Sequence, residues 1–258
     1  MLKFPYAFWI TVWCFFILNI LKFTIDISYW WYVLLFSTFF SMVFWGTSRV
    51  HSQFLIKAFC RYPTDEKLVS LTFDDGPHPV NTPKILDILK EANLKACFFV
   101  IGKNAYQFPE IIRRMDEEGH LIGNHSFSHS KIFDFFNARR IRDELLMTNS
   151  TVKKVTGKEM RFFRPPFGVT TISLRSALKK LPFTVIGWSN RSLDTVIRDE
   201  NKIYQRIISR LSKHKNIVLM HDTQEGSVIV LEKLIKYLKA NEYNVILPDD
   251  YLKTPSHE

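Results

Sequence analysis

From residue 68 onward, short β-type runs alternate with amphipathic helical stretches, and this alternation constrains the fold more than any other feature of the chain. Strands are predicted over 68–73, 96–101, 120–123, 161–163, 184–188, 217–220 and 244–247. Helices are predicted between them, over 82–91, 109–118, 138–155, 172–180, 201–213 and 228–241. Regular β/α alternation specifies an α/β fold with a parallel sheet, open or closed into a (β/α) barrel. In such folds functional side chains collect at the carboxyl ends of the strands. With 258 residues there is room for one substantial domain and a small appendage.

The appendage is visible at the amino end. Residues 4–21 are apolar apart from a few Thr, Asn and Cys, and Lys22 ends the run. Residues 27–45 carry no formal charge and are rich in Trp, Tyr and Phe, with 46–49 closing them. Each run approaches the roughly 20 apolar residues that cross a bilayer. Tyr29, Trp30, Trp31 and Tyr32 cluster where an interfacial aromatic belt sits. Residues 1–60 are therefore expected to form a membrane anchor with two transmembrane helices, about 4–21 and 27–46, and a linker; 61–258 form the second domain. A cleaved signal peptide is the weaker alternative, because the first run lacks a small-residue cleavage site and a second apolar run follows at once. Positive charge at Lys3, Arg49, Lys57 and Arg61 favours both ends in the cytoplasm of a cell or inner membrane, provided both runs span. If only one spans, the second domain moves to the other side.

A formal net charge of +10 suggests an anionic surface nearby, and membrane headgroups fit it. No Lys/Arg tract interleaved with aromatics indicates a nucleic-acid groove, so no nucleic-acid partner is expected, and nothing indicates a protein partner. Cys14, Cys60 and Cys97 are too few and too scattered for a disulfide framework or a cysteine zinc site.

The polar residues that could carry chemistry fall at predicted strand ends. "LTFDDGPHP" sets Asp74 and Asp75 after the first strand. Asp, Gly and Pro also make turns with no chemistry. Consecutive strand residues point to opposite sides, so one carboxylate could hold a metal while the other handles a proton. "HSFSH" spaces His125 and His129 by four, which on a helical turn puts both imidazoles on one face. Two imidazoles and one carboxylate with an open position suit a catalytic zinc. In "RFFRPPFG" a rigid turn at Pro165, Pro166 and Gly168 could aim an amide at an oxyanion while Arg164 pairs with a carboxylate. "WSNRSLD" ends in Asp194, and "IVLMHD" presents His221, a candidate general acid. Taken singly, each block has an ordinary structural explanation.

In this order the five blocks resemble the NodB-type polysaccharide deacetylases, family 4 of the carbohydrate esterases. "TFDDGP", "HSFSH", "RPPFG" and "LMH" match the family's motifs, and the match runs from about Leu68 to the end of the chain. The resemblance implies a distorted (β/α) barrel of the NodB-homology type with one divalent metal, commonly zinc, that removes N-acetyl groups from aminosugars. Carried over, Asp75, His125 and His129 become metal ligands, Asp74 the general base, Arg164 its positioning partner and His221 the general acid. The Phe167 amide joins in stabilising the oxyanion, at a position where the family often has Tyr. The fourth block departs from the family's Asp-x-x-Asp-Trp pattern: Arg191 and Thr195 replace the first aspartate and the tryptophan, while Asp194 survives. An aromatic wall of the cleft is therefore expected to be missing. The expected substrate is an acetylated aminosugar polymer or oligomer, chitin-like or peptidoglycan-like. The alternatives are a lipid-linked aminosugar deacylated at the membrane surface, or a non-catalytic sugar-binding membrane protein that kept the fold.

Overall fold

A computed structural model describes residues 2–64, 66–211 and 216–252. Two apolar helices come first, α1 (Phe4–Ile25) and α2 (Trp30–Thr47). Pro5 stands in the first turn of α1, where a missing amide proton costs nothing, and Asp26 ends it in the left-handed region at φ 50°. The two helices are 22 and 18 residues long, apolar enough to cross a membrane, and they pack through Phe15 against Tyr32 and Phe36. Most of their large side chains stay outside: Phe23 is 94% exposed and Trp30 75%. An apolar surface of that extent calls for a lipid or protein cover.

The chain then passes a 3-10 turn at Val50–Ser52 and runs along the sheet edge, where Phe59 bridges Ile186. Phe59 N–H donates to Val185 O at 2.8 Å, and Gly187 N–H donates to Phe59 O at 2.9 Å. The β/α part comprises β1 (Leu68–Asp74), α3 (Asn81–Glu91), β2 (Cys97–Val100), α4 (Gly102–Gln107), α5 (Pro109–Glu117), β3 (Leu121–Asn124), α6 (Ala138–Thr156), β4 (Phe162–Phe163), α7 (Ile172–Leu178), β5 (Thr184–Val185), β6 (Asn190–Arg191), α8 (Glu200–Ser209), β7 (Asn216–His221), α9 (Glu225–Ala240), β8 (Asn244–Val245) and α10 (Pro248–Leu252). The strands pair in parallel in the order β5-β4-β3-β2-β1-β7-β6, and β8 pairs with the start of β1. Neither β5 nor β6 closes on the other by a ladder, so the sheet is a half-barrel wrapped by helices.

Period-two alternation divides β1 between two interiors. Val69, Leu71 and Phe73 join Phe98, Met220, Leu86, Ile112 and Leu231 in the core between sheet and helices. The alternate residues Leu68, Ser70, Thr72 and Asp74 line the concave side, where Phe99, Phe162, Ile186 and Tyr62 pack. A third apolar cluster joins Ala7 of α1 and Val50, Phe54 and Leu55 of the linker to Phe133, Phe163, Leu174 and Val185. The linker is therefore part of the folded body.

The predicted strands and helices are present with shifted ends, and β6, α4 and α10 are additional. Residues 212–213 of the predicted 201–213 helix lie outside the described residues, and α8 itself ends at Ser209. One local expectation is corrected: residues 125–129 form a loop rather than a helical turn, with Ser126 at φ 65° and His129 at φ 45°.

Candidate active site

The sheet brings its functional side chains together because neighbouring parallel strands end at the same level. Asp74 closes β1 directly beside His221, which closes β7. His125 follows Asn124, the last residue of β3, and Arg164 follows β4 with its N–H donating to Asn124 O at 3.0 Å. The cleft at these ends encloses about 210 Å³ and is lined by Asp74, Asp75, His125, His129, Phe167 and His221, among others.

Arg164 is the organising residue, fully buried. Its Nη1 donates to Asp74 Oδ1 at 2.7 Å and to Thr72 Oγ1 at 2.8 Å. Nη2 donates to Gly187 O at 2.8 Å and Nε to Ile186 O at 3.2 Å, while the guanidinium lies 4.1 Å from the Phe99 ring centre. A buried cation must be paired and hydrogen-bonded to be tolerated, and here each edge of the fork has a partner.

Asp75 leaves the strand in the left-handed region, at φ 76°. The two adjacent carboxylates therefore do not face opposite sides, as strand pleating predicts; both enter the cleft. Asp74 Oδ2 is 3.8 Å from His125 Nε2, and Asp75 Oδ1 is 3.4 Å from the same nitrogen and 3.3 Å from His129 Nε2. These separations exceed a good N–H···O bond. Asp75 Oδ1 is a buried oxygen without a hydrogen-bond partner among the described residues, and the ligand atoms of Asp75, His125 and His129 lie within 4.8 Å of one another. A buried carboxylate oxygen left bare between two imidazole nitrogens fits a divalent cation. His125 Nδ1 pairs with Arg164 O at 2.8 Å, and a carbonyl only accepts, so Nδ1 carries the proton and Nε2 presents its lone pair to the cleft. Burial raises the Asp75 carboxyl, but the imidazoles of His125, His129 and His221 outweigh it and hold the group below the ordinary carboxylate range.

The opposite wall is built on Asp194. Its Oδ1 pairs with His221 Nδ1 at 2.7 Å and accepts from Ser192 Oγ at 2.8 Å. Its Oδ2 accepts from the His221 N–H at 2.7 Å and from the Ser227 hydroxyl. Burial lowers the His221 imidazole, yet the Asp194 bond and charge, with Asp74 and Asp75 behind, push it up to about 9. A protonated imidazole with Nε2 directed at the cleft can deliver a proton there.

Phe167 sits in the 3-10 turn Pro166–Gly168 at φ 57°, its ring 4.9 Å from that of His129. Three contributors escaped the sequence reading. Trp188 lines the cleft, so an indole does form part of its wall despite the altered fourth block. It covers Gly168, where a Cβ would stand 2.3 Å from the indole and φ is +71°, so only glycine fits. Glu144 of α6 holds the His125–His129 loop, accepting from Phe127 N–H at 3.0 Å and from Ser128 N–H at 2.7 Å. Asp222, buried beside His221, accepts from Thr82 Oγ1 at 2.6 Å beneath the Gly76 turn. The "HD" pair in "LMHD" hints at Asp222, and Trp188 opens the quoted block "WSNRSLD" without being singled out there; Glu144 had no local sign.

A parallel half-barrel whose strand ends gather an Asp-His-His set, an arginine-paired aspartate and an aspartate-paired histidine defines a hydrolase-type centre. Comparison with known proteins agrees with the class and narrows it. The polysaccharide deacetylase profile matches residues 61–186. A peptidoglycan-N-acetylmuramic acid deacetylase of Bacillus subtilis, PdaA, is 35% identical over 193 residues, 73% of this chain and 73% of the relative. A peptidoglycan-N-acetylglucosamine deacetylase of Bacillus cereus is 35% identical over 181 residues, 69% of this chain, which spans just under two thirds (65%) of that relative's length. The solved structure of the Bc1960 peptidoglycan N-acetylglucosamine deacetylase superposes with a TM-score of 0.70 at 32% identity, covering 77% of this chain and 94% of that one. This chain belongs to the polysaccharide deacetylase family, the NodB-homology enzymes of carbohydrate esterase family 4.

Proposed function

We propose that this protein is a metal-dependent deacetylase that hydrolyses the N-acetyl group of an aminosugar in a glycan polymer or oligomer, the peptidoglycan type named for its relatives being the first choice. The observation that carries the reading is the bare, buried Asp75 Oδ1 between His125 Nε2 and His129 Nε2, with the arginine-paired Asp74 alongside. Asp75, His125 and His129 would hold the ion, for which two imidazoles and one carboxylate suit zinc. When bound, it supplies Lewis acidity, polarising the amide carbonyl and acidifying water.

The chain's own groups do the rest. Asp74, held in place by the Arg164 guanidinium, accepts the proton of the attacking water. The Phe167 amide faces the charge that develops on the carbonyl oxygen. His221 gives its proton to the departing nitrogen as the C–N bond breaks, so acetate and the free amine leave. Asp194 keeps His221 protonated and oriented.

The test is acetate release by the full-length protein in detergent, on N-acetylglucosamine oligomers and peptidoglycan fragments, with chelator added and zinc then restored. Chelator-sensitive release that zinc restores is expected. Asp74→Asn should lose activity by a factor of at least about 10² while retaining metal, whereas Asp75→Asn and His129→Ala should lose metal as well. Unchanged hydrolysis by Asp74→Asn would overturn the assignment.

A further inference from the structure

The carboxyl end of α2 is bonded to the loop that carries Phe167. Thr170 N–H donates to Thr47 O at 2.8 Å, and the Thr170 hydroxyl reaches the same carbonyl at 3.4 Å. Thr47 is the last residue of α2, and one turn around it the Arg49 guanidinium stacks 3.5 Å over the Trp45 ring. Trp with Arg at the end of an apolar helix marks the headgroup level of a bilayer. Phe167 lies three residues from Thr170, so at full extension the two are at most about 11 Å apart. The candidate metal ligands thus stand close to the membrane surface, on the side where the anchor enters.

Between the anchor and this loop runs a groove of about 260 Å³, lined among others by Phe4, Val43, Leu55, Val169 and Ile172. Phe4 and Val43 belong to the apolar helices, so the groove is continuous with their lipid-facing surface. At its outer edge Ile172 is 61% exposed, and beside the cleft Phe167 is 48% exposed. The two segments that build this side, residues 27–64 and 160–193, contain no Asp or Glu. They pack on each other through Val50, Leu55, Leu174 and Val185. An apolar groove and an acid-free surface at the headgroup level suit a hydrocarbon chain and an anionic leaflet better than a hydrated wall polymer.

We propose that the aminosugar this site deacetylates is carried on a membrane lipid, with the sugar in the Asp75–His125–His129 cleft and its hydrocarbon chain lying in the groove between α2 and residues 169–172. The inference rests on the deacetylase reading above and names the form in which the substrate arrives.

The experiment uses the zinc-loaded full-length protein in phospholipid vesicles. Its substrates are an N-acetylglucosamine tetramer in solution and the same sugar linked to a polyprenyl chain in the bilayer. The lipid-linked sugar is expected to be deacetylated with a kcat/KM at least roughly tenfold higher, the scale set by burying a short stretch of hydrocarbon. Ile172→Lys, at an exposed position outside the catalytic groups, should remove most of that preference and leave turnover of the soluble tetramer unchanged. A diazirine on the chain should label the peptides containing Val43 or Ile172. Equal or faster turnover of the soluble tetramer would overturn the proposal while the deacetylase reading stands; a preference untouched by Ile172→Lys, with labelling elsewhere, would overturn the groove. Absence of acetate from both substrates would overturn the deacetylase reading and the proposal with it.

Discussion

Arg164 and Asp194 do for the two sides of the cleft what neither Asp74 nor His221 could do alone. Removing the guanidinium with Arg164→Met would leave the Asp74 carboxylate buried without its cation, and breaking a buried pair in this way costs about 3–5 kcal/mol. A lower melting temperature together with lost activity is expected in a thermal scan, whereas a melting temperature like the parent's would show that water replaces the arginine. Asp194 governs titration. With His221 raised to about 9, the stability its charged form contributes is complete below the ordinary histidine value near 6.5 and lost as pH rises through about 9. The pH profile of kcat/KM should accordingly fall on the alkaline side. A cation on Asp75 withdraws one of the charges that favours protonated His221, so this limb should lie below 9 in the metal-loaded enzyme. Asp194→Asn should move it lower still; an alkaline limb that stays put would remove His221 from the role of acid.

Among the elements, α6 serves the site from outside the sheet. Glu144 clamps the backbone of the His125–His129 loop, and groups that orient metal ligands typically change affinity by about 10- to 100-fold when removed. Glu144→Ala should weaken zinc binding by that order in a competition titration with a chelating dye, with the fold intact. Gly168→Ala should fail differently, because the new methyl meets the Trp188 indole and the left-handed backbone disfavours any side chain. The β/α alternation was legible because β1 and β7 are long, apolar runs between clear turn signals. The two-residue strand β6 was not, since Asn190 and Arg191 carry no strand propensity and pair only because β7 offers an edge. The motif residues could be read from their blocks. What could not be read was how the blocks approach: the left-handed turns at Asp75 and His129 replace the pleat and the helical turn that local spacing suggests. Glu144 enters from α6, outside every motif block, and such a contact leaves no local trace; Trp188 heads "WSNRSLD", but nothing local says that its indole turns into the cleft.

At the scale of the molecule, the first apolar helix, the linker and the half-barrel share a core. Val50, Phe54, Leu55 and Cys60 are buried, so a soluble version starting at residue 48 should fold, and one starting at residue 61 should lose the Phe59–Ile186 bridge and part of a hydrophobic cluster. Expression and melting temperature of the two truncations distinguish these outcomes; equal stability would make the linker dispensable. The bond from Thr47 to Thr170 has a mechanical corollary. Helices of 22 and 18 residues are about 33 and 27 Å long at 1.5 Å per residue. A bilayer thinner or thicker than their apolar length makes such helices tilt or shift. With both helices spanning a membrane, as proposed, the shorter one ends on the loop bearing Phe167 and would carry that adjustment to the cleft, so hydrolysis in vesicles of graded acyl length should pass through an optimum and the protein would act as a gauge of membrane thickness.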